Sequence, residues 1–505
     1  MMEINTQRAT PDRSLWAPGP LDLGADEGAR LLALATELVV RHAQVIDRVP
    51  VAPANPALVT ETVRDWLVDY DFDTAQDADR VLRDVVTMLV RWSVHPTHPR
   101  YFGLFNPTPT WPGVAGDLLA AGLNPQLAAY SHAPAAVEIE RHVLRILAEW
   151  LGLPDTSAGS FTTGGAEANL TAVVIALTRR FASYPDAGIA SVPGPPVLYA
   201  SRESHLAWLK IAHLTGLGRD AVRLVPVDAS YRLDVSRLRL MHAADRAAGR
   251  LPFLLVGTAG TTGSGALDPL AELAGVARDA GMHFHVDAAW AGAVALSDRL
   301  RPLLAGIEQA DSVTVDAHKW LSAPMGAGMF LTRHPSALTS SFRVSTGYMP
   351  VDNEDASDPY TTSVQWSRRF AGLKAFLALA VAGRPAYAAQ LERDVALGEL
   401  LARRLAEGGW LRVNDTPLPL VCVVDPAVDA LGPVASQQWH RAVVDHVVRG
   451  GRAWISLVLL DGRAAIRMCL TSHRTTADDI AAVVDALGEA RRAVPATAGC
   501  SPQAR

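Results

Sequence analysis

The 505-residue sequence predicts an α/β protein built on a doubly wound sheet. Three features carry that reading. Short apolar runs alternate with stretches of helical period. The runs read as buried parallel strands, apolar on both faces. Small, polar or ionisable residues gather where the runs end, the edge at which open α/β sheets collect ligands.

Taken in order, residues 1–26 are short, polar and punctuated by Pro and Gly, and predict a flexible terminus. Residues 27–94 have helical spacing, as in "EGARLLALATELVVRHAQVI" and "DADRVLRDVVTMLVRWSV"; these amphipathic helices need a surface to cover. The Pro- and aromatic-rich stretch "HPTHPRYFGLFNPTPTWPGV" that follows cannot be one regular element. Residues 95–380 form the predicted large α/β domain, with strands at "PPVLYAS", "VRLVPVD", "PFLLVGTAG", "HFHVDAAW" and "ADSVTVDA". A long helix begins at "FAGLKAFLALAVAG". Residues 381–492, with "PLPLVCVVDP" and "AAIRMCLTS", predict a smaller second domain, and 493–505 a flexible tail.

Composition excludes several classes. A net charge of −6 with scattered basic residues offers no cationic stripe for nucleic acid. No uninterrupted apolar run of about eighteen residues predicts a membrane span, and the amino terminus has no apolar signal core. Cys422, Cys469 and Cys500 are too widely spaced for a disulfide framework or a zinc pattern. Together these features point to a cytoplasmic protein without a bound metal.

Four strand ends carry chemistry. In "FTTGGAEANLTAVVIAL", Gly164 and Gly165 precede a helix beginning near Ala166. A threonine-capped turn and an anion cradle both fit that pattern. Asp287 ends the run "HFHVD" before small Ala288 and Ala289; it reads either as a helix cap or as the partner of a protonated ring nitrogen. His205 follows a strand where a helix starts, as a surface residue or as a plate to stack on a flat ring. Lys319 stands in "HKWLSAPMGAG", where Trp320, Leu321 and Met325 predict packed surroundings. An ammonium is costly to bury unpaired, so this lysine must be paired or covalently engaged. A lysine in such a setting is a nucleophile towards carbonyls. An anion cradle, an acid for a ring nitrogen, a stacking imidazole and an imine-forming amine together meet the needs of pyridoxal 5′-phosphate (PLP).

The motifs "HVDAAWAG", "DAHKWL", "TTGGAEAN", "HPRYFGLFNPTPT" and "SHAPAAVEIE" closely resemble the group II pyridoxal-dependent decarboxylases, over roughly residues 30–480. The resemblance implies a fold-type I, aspartate-aminotransferase-like homodimer with shared active sites, its amino-terminal helices embracing the partner. It makes Lys319 the Schiff-base lysine and Asp287 the pyridinium partner, with Ala289 and His205 on the two ring faces. Gly164, Gly165 and Ala166 match the phosphate turn, and His318 and Thr262 match flanking cofactor contacts. Ser367 matches a backbone contact to the phosphate held by the second copy. Tyr348 matches the loop tyrosine that reprotonates the substrate's α-carbon. Leu104, Phe105, Asn106, Pro107 and Thr108 match the substrate pocket and suggest an apolar or aromatic side chain, with Leu104 where a tyrosine is common in relatives acting on aromatic substrates. Asp316 stands where asparagine is frequent, and an ionised carboxylate there would repel the phosphate. The activity implied is decarboxylation of an L-amino acid to its amine. The alternatives are oxidative deamination to an aldehyde, transamination, or a non-catalytic interaction subunit.

Overall fold

The computed structural model describes Gly19 and residues 21–53, 58–344 and 358–495. The chain divides into two units, residues 1–49 with 55–94 and residues 50–54 with 95–505.

The first unit contains the helices Ala25–Val45, Val59–Leu67 and Ala78–Trp92. The third starts where Asp77 accepts the Arg80 N–H, an N-cap that satisfies one of the orphan donors of its first turn. Arg30 pairs with both Glu27 and Asp79, tying the first helix to the third. These are exposed pairs that contribute little alone. Leu34 is buried, whereas Leu32, Val39, Leu67, Val85 and Leu89 remain exposed along the apolar faces.

The second unit is organised by a seven-stranded sheet: β1 (Ala158–Thr162), β2 (Pro196–Ser201), β3 (Val222–Val225), β4 (Leu251–Thr258), β5 (His283–Asp287), β6 (Ser312–Asp316) and β7 (Gly328–Thr332). The order is β1-β7-β6-β5-β4-β2-β3. β3, β2, β4, β5 and β6 run parallel, and the chain passes from β2 to β3, β4 and β5 through helices and from β5 to β6 through short helical turns. β7 is antiparallel to both neighbours. The five expected strands are all present. β1 and β7 add to the expected set; their glycines (AGSFT, GMFLT) weaken the strand signal.

The central strands are not apolar on both faces. Phe284 and Val286 of β5, with Val313 and Val315 of β6, join the main hydrophobic core beside Leu144, Leu147 and Leu273. Each such side chain contributes roughly 1.5–3 kcal/mol on burial. The alternate residues are His283, His285 and Asp287 on β5, and Ser312, Thr314 and Asp316 on β6, all buried. With a period of two they share the opposite face, under the helix Gly165–Arg180.

A second, antiparallel sheet has the order β10-β11-β9-β8, from β8 (Leu411–Arg412), β9 (Leu420–Val424), β10 (Ser456–Leu460) and β11 (Arg463–Cys469). Val421, Val423, Ile466 and Met468 pack with Val443, Val447, Ile480 and Val483 of two covering helices into a separate core. The alternate residues Leu420, Cys422, Ala465 and Cys469 face the main core. Between the sheets runs the helix Gly372–Glu407, broken at Gly383, whose φ of 72° no helical residue adopts. No helix among the described residues is long and apolar enough to cross a membrane.

Asp394 of that long helix accepts the Trp320 indole N–H at 2.8 Å, and burial pushes its carboxyl up to about 7. The folded chain thus keeps a proton that the unfolded carboxyl releases near pH 4. This contribution to stability is largest below about pH 4 and is lost as pH rises towards 7. Asp394→Asn should remove that slope. The melting-temperature gain of the variant over the parent should widen from pH 4 to 7 and then level off; a constant difference would contradict it.

Candidate active site

Three carboxyl-terminal strand ends and one helix start converge. Asp287, the last residue of β5, is buried; its Oδ2 accepts the Asn169 amide at 2.8 Å and its Oδ1 the Ala289 N–H at 3.2 Å. One strand over, Asp316 ends β6 and takes its backbone hydrogen bond from its N–H to Ala289 O at 2.9 Å. The chain then turns: Lys319 N–H donates to Asp316 O, and Ser322 N–H to Lys319 O. Ser322 adopts a positive φ of 54° to close that turn. The turn carries Lys319 back beside Asp316, Nζ 3.0 Å from Oδ2.

Lys319 is therefore paired, and its side chain keeps 23% exposure amid buried neighbours. Trp320 and Leu321 are packed as expected. Met325 is not: at 62% exposure it lies outside the packed shell, because the chain leaves the core at Pro324. Asp316 is balanced by the lysine rather than being a bare repulsive charge, while its Oδ1 is buried without a partner among the described residues. His318 is buried, accepts the Ala327 N–H at Nδ1, and has its pKa lowered chiefly by desolvation.

The glycine turn faces this pair. The helix Gly165–Arg180 has no side-chain cap, so the threonine-cap reading of the turn is excluded. Thr162 Oγ1 instead donates to Gly164 O, and Thr163 Oγ1 to Glu167. A Cβ on Gly165 would sit 2.8 Å from Asp316 Oδ2 and 3.4 Å from the Ala289 methyl; one on Gly164 would meet His318 at 3.6 Å. Gly165 thus lies against Asp316 and Ala289 more closely than a residue with a side chain could. The free N–H groups of the first helical turn, Gly165 and Ala166 among them, and its dipole favour an anion there.

The remaining expected residues are spread around this centre. His205, past the end of β2, is exposed and its Nδ1 accepts the Ala207 N–H. It shares the sheet edge but is not in hydrogen-bond contact with Asp287 or Lys319. Thr262, in the turn after β4, is half-buried and its carbonyl accepts Arg467 Nε at 2.7 Å. Ser367 is exposed. Leu104 is 54% exposed, whereas Phe105 is buried and stacks on Trp290 at 4.4 Å. Asn106 is half-buried and Pro107 buried. Thr108 is engaged elsewhere, with Thr97 O and Ser472. Tyr348 lies outside the described residues.

Two further residues belong to the centre. Arg467 of β11 is buried, with its guanidinium 4.9 Å from the Phe105 ring, the same ring that lies 5.7 Å from Lys319 Nζ. It donates to Gly103 O and Thr262 O, leaving Nη2 buried and without a partner among the described residues. A lone arginine inside the apolar run "AAIRMCL" was the available signal. Asn169, which holds Asp287, was visible only as the last letter of "TTGGAEAN".

The donor set suits a phosphorylated pyridine aldehyde: an amine, a carboxylate held at a strand end, and a side-chain-free cradle at a helix start. Residues 63–423 match the pyridoxal-dependent decarboxylase conserved domain. The chain belongs to that family. The aromatic-L-amino-acid decarboxylase of Bacillus atrophaeus is 26% identical over 91% of this chain and 94% of its own. The L-2,4-diaminobutyrate decarboxylase of Rhizobium meliloti (strain 1021) is 31% identical over 75% of both chains. Mouse CSAD in its apo form superposes with a TM-score of 0.85 at 27% identity, covering 92% of this chain and 99% of that one. The fold is that of the fold-type I PLP enzymes, and the decarboxylase is a PLP-dependent carboxy-lyase acting on L-amino acids.

Gly165→Val should fill the cradle. PLP retention, read by the visible absorbance left after gel filtration, should weaken at least tenfold, as loss of about 1.4 kcal/mol of binding requires. The melting temperature of the apoenzyme should fall as well, because the added Cβ would meet the buried Asp316 carboxylate at 2.8 Å. Full retention would place the phosphate elsewhere.

Proposed function

We propose that this decarboxylase converts an L-amino acid with an aromatic or apolar side chain to its amine and carbon dioxide. The supporting observation is the segment that lies along the lysine turn. Thr110 N–H donates to Ser322 O, so residues 104–113 run beside Lys319. That segment, "LFNPTPTWPG", carries Leu104, Phe105 and Trp111 and no charged side chain. Its apolar surface favours an apolar group and offers nothing to neutralise an acidic or basic one. The aromatic-L-amino-acid decarboxylase among the relatives supports the same choice.

PLP, when bound, supplies the electron sink for the pair left behind by the departing carboxylate. Lys319 Nζ would hold the cofactor, and Asp287 would accept from its ring nitrogen. The N–H groups of Gly165 and Ala166 would take the phosphate, and Ala289 and His205 would contact the ring. Thr262 and His318 stand at the margins. Arg467 Nη2, buried with no other acceptor among the described residues, orients the substrate carboxylate by a charge-assisted hydrogen bond. Tyr348 returns a proton to the substrate's Cα, which favours amine over aldehyde. The exposed apolar faces of the three amino-terminal helices supply the cover of a homodimer, in which Ser367 serves the second copy's phosphate. Three dispersed cysteines suit a reducing cytoplasm.

A panel of L-amino acids, assayed for amine, ammonia and hydrogen peroxide, tests the reading. The highest kcat/KM should belong to an aromatic or large apolar substrate, at least tenfold above aspartate, glutamate, cysteine sulfinate and 2,4-diaminobutyrate, with no stoichiometric peroxide. An acidic or diamino substrate at the top would overturn the side-chain assignment, and stoichiometric peroxide the product. Arg467→Met should lower kcat/KM about a hundredfold while the cofactor absorbance is unchanged.

A further inference from the structure

The polar face of the two central strands contains a continuous chain of hydrogen bonds that the reaction as described does not use. It begins at Arg179, near the carboxyl end of the helix over the sheet, where Nη1 lies 2.9 Å from His283 Nδ1. His283 Nε2 is 2.8 Å from Ser312 Oγ, and the same Oγ is 2.8 Å from His285 Nδ1. His285 Nε2 is 3.1 Å from Asn169 Oδ1, and Asn169 Nδ2 is 2.8 Å from Asp287 Oδ2. His283, His285, Ser312 and Asn169 are all buried.

The direction of every link follows from the two ends. A guanidinium only donates, so His283 Nδ1 accepts and its Nε2 carries the hydrogen. Ser312 then accepts from His283 and gives its own hydrogen to His285 Nδ1. His285 Nε2–H donates to the Asn169 carbonyl, whose amide donates to Asp287. An ionised carboxylate only accepts, which closes the chain in the same sense. Burial pushes both imidazoles down to about 3, as neutral links require. The neighbouring groups leave that direction intact. Thr314 donates to the same Asn169 carbonyl at 2.8 Å, and Trp208 presents its ring edge-on to His285 at 5.7 Å. Asp311 takes Arg179 at 3.3 Å and His334 at 2.5 Å, and His334 lies 6.3 Å from the His283 ring. The outer end opens on a cavity of about 450 Å³ lined by Arg179, His283, Asp311 and Arg333.

We propose that Arg179, His283, Ser312, His285 and Asn169 are positioning residues for Asp287. Their hydrogens all point towards it, and this one-way chain keeps the carboxylate an aimed acceptor, so that the cofactor's ring nitrogen holds its proton. Aligned links polarise one another, so a break far from the cofactor is felt at Asp287. The inference rests on the reading that Asp287 takes the ring nitrogen.

The test is the ¹⁵N chemical shift of the ring nitrogen, followed against pH in holoenzyme reconstituted with ¹⁵N-labelled PLP. Ser312→Ala cuts the chain about 13 Å along the strand from Asp316, clear of the cleft. It should move the ring nitrogen towards its unprotonated position and lower the pH of its deprotonation by about one unit. Arg179→Met, at the partly exposed outer end, should shift it in the same direction by less, and decides the matter if Ser312→Ala does not fold. A parent-like titration in the folded variants overturns the chain and leaves only a packing role. Asp287→Asn separates the underlying reading. If that variant keeps a protonated ring nitrogen, Asp287 is not its partner; if it loses the proton while the chain variants keep it, the chain alone fails.

Discussion

A charge at the end of a buried strand has to be met, and the way each is met organises this molecule. Asp287 and Asp316 end adjacent central strands and are almost wholly enclosed. Uncompensated, either would cost several kcal/mol. Asp316 is met by an ammonium, which brings Lys319 back over the strand ends. Asp287 is met by neutral donors, an amide and a backbone N–H, which leave its acceptor capacity free for a ring nitrogen. The two solutions differ because the two carboxylates have different work. One holds an amine through an ion pair; the other is held at the strand end by neutral donors alone.

That division needs a sheet with two characters. Odd-numbered residues of β5 and even-numbered residues of β6 carry His, Asp, Ser and Thr, while their neighbours enter the main core. The small residues Ala168, Ala172 and Ala176 let the covering helix approach, and Asn169 reaches Asp287 from it. The same helix starts at the Gly164–Gly165 turn, so one element sets that turn against Asp316 and, one turn later, holds the Asp287 carboxylate through Asn169. Arg467 enters from the second sheet by the same rule of alternation, since residues 465, 467 and 469 face the main core while 466 and 468 do not.

Much of this could be read from the letters. Five parallel strands and their carboxyl-end residues were legible because Val, Leu and Phe runs end in Asp287, Asp316 or the turn to His205. β1 and β7 were hidden because glycine weakens a strand signal, although Gly159 and Gly328 are there to let backbones close up. The "HFHVD" run read as buried, correctly, but a one-dimensional pattern cannot say that its histidines meet Ser312 and Asn169, which lie 27 and 116 residues away. Met325 was misjudged for a related reason: an apolar letter next to a packed lysine turn does not reveal where the chain exits the core. Arg467 was overlooked because its partners, Phe105 and Thr262, lie more than 200 residues upstream.

Only three amines on side chains could carry the cofactor, since the sequence has just Lys210, Lys319 and Lys374. Lys210 is exposed on a helix, and Lys374 is buried, donating to Met325 O and Asp117. Borohydride reduction of the holoenzyme, followed by proteolysis and mass spectrometry, should find the phosphopyridoxyl group on Lys319 alone, at one per chain. A label on Lys210 or Lys374, or no label on a protein that still binds PLP, would contradict the account.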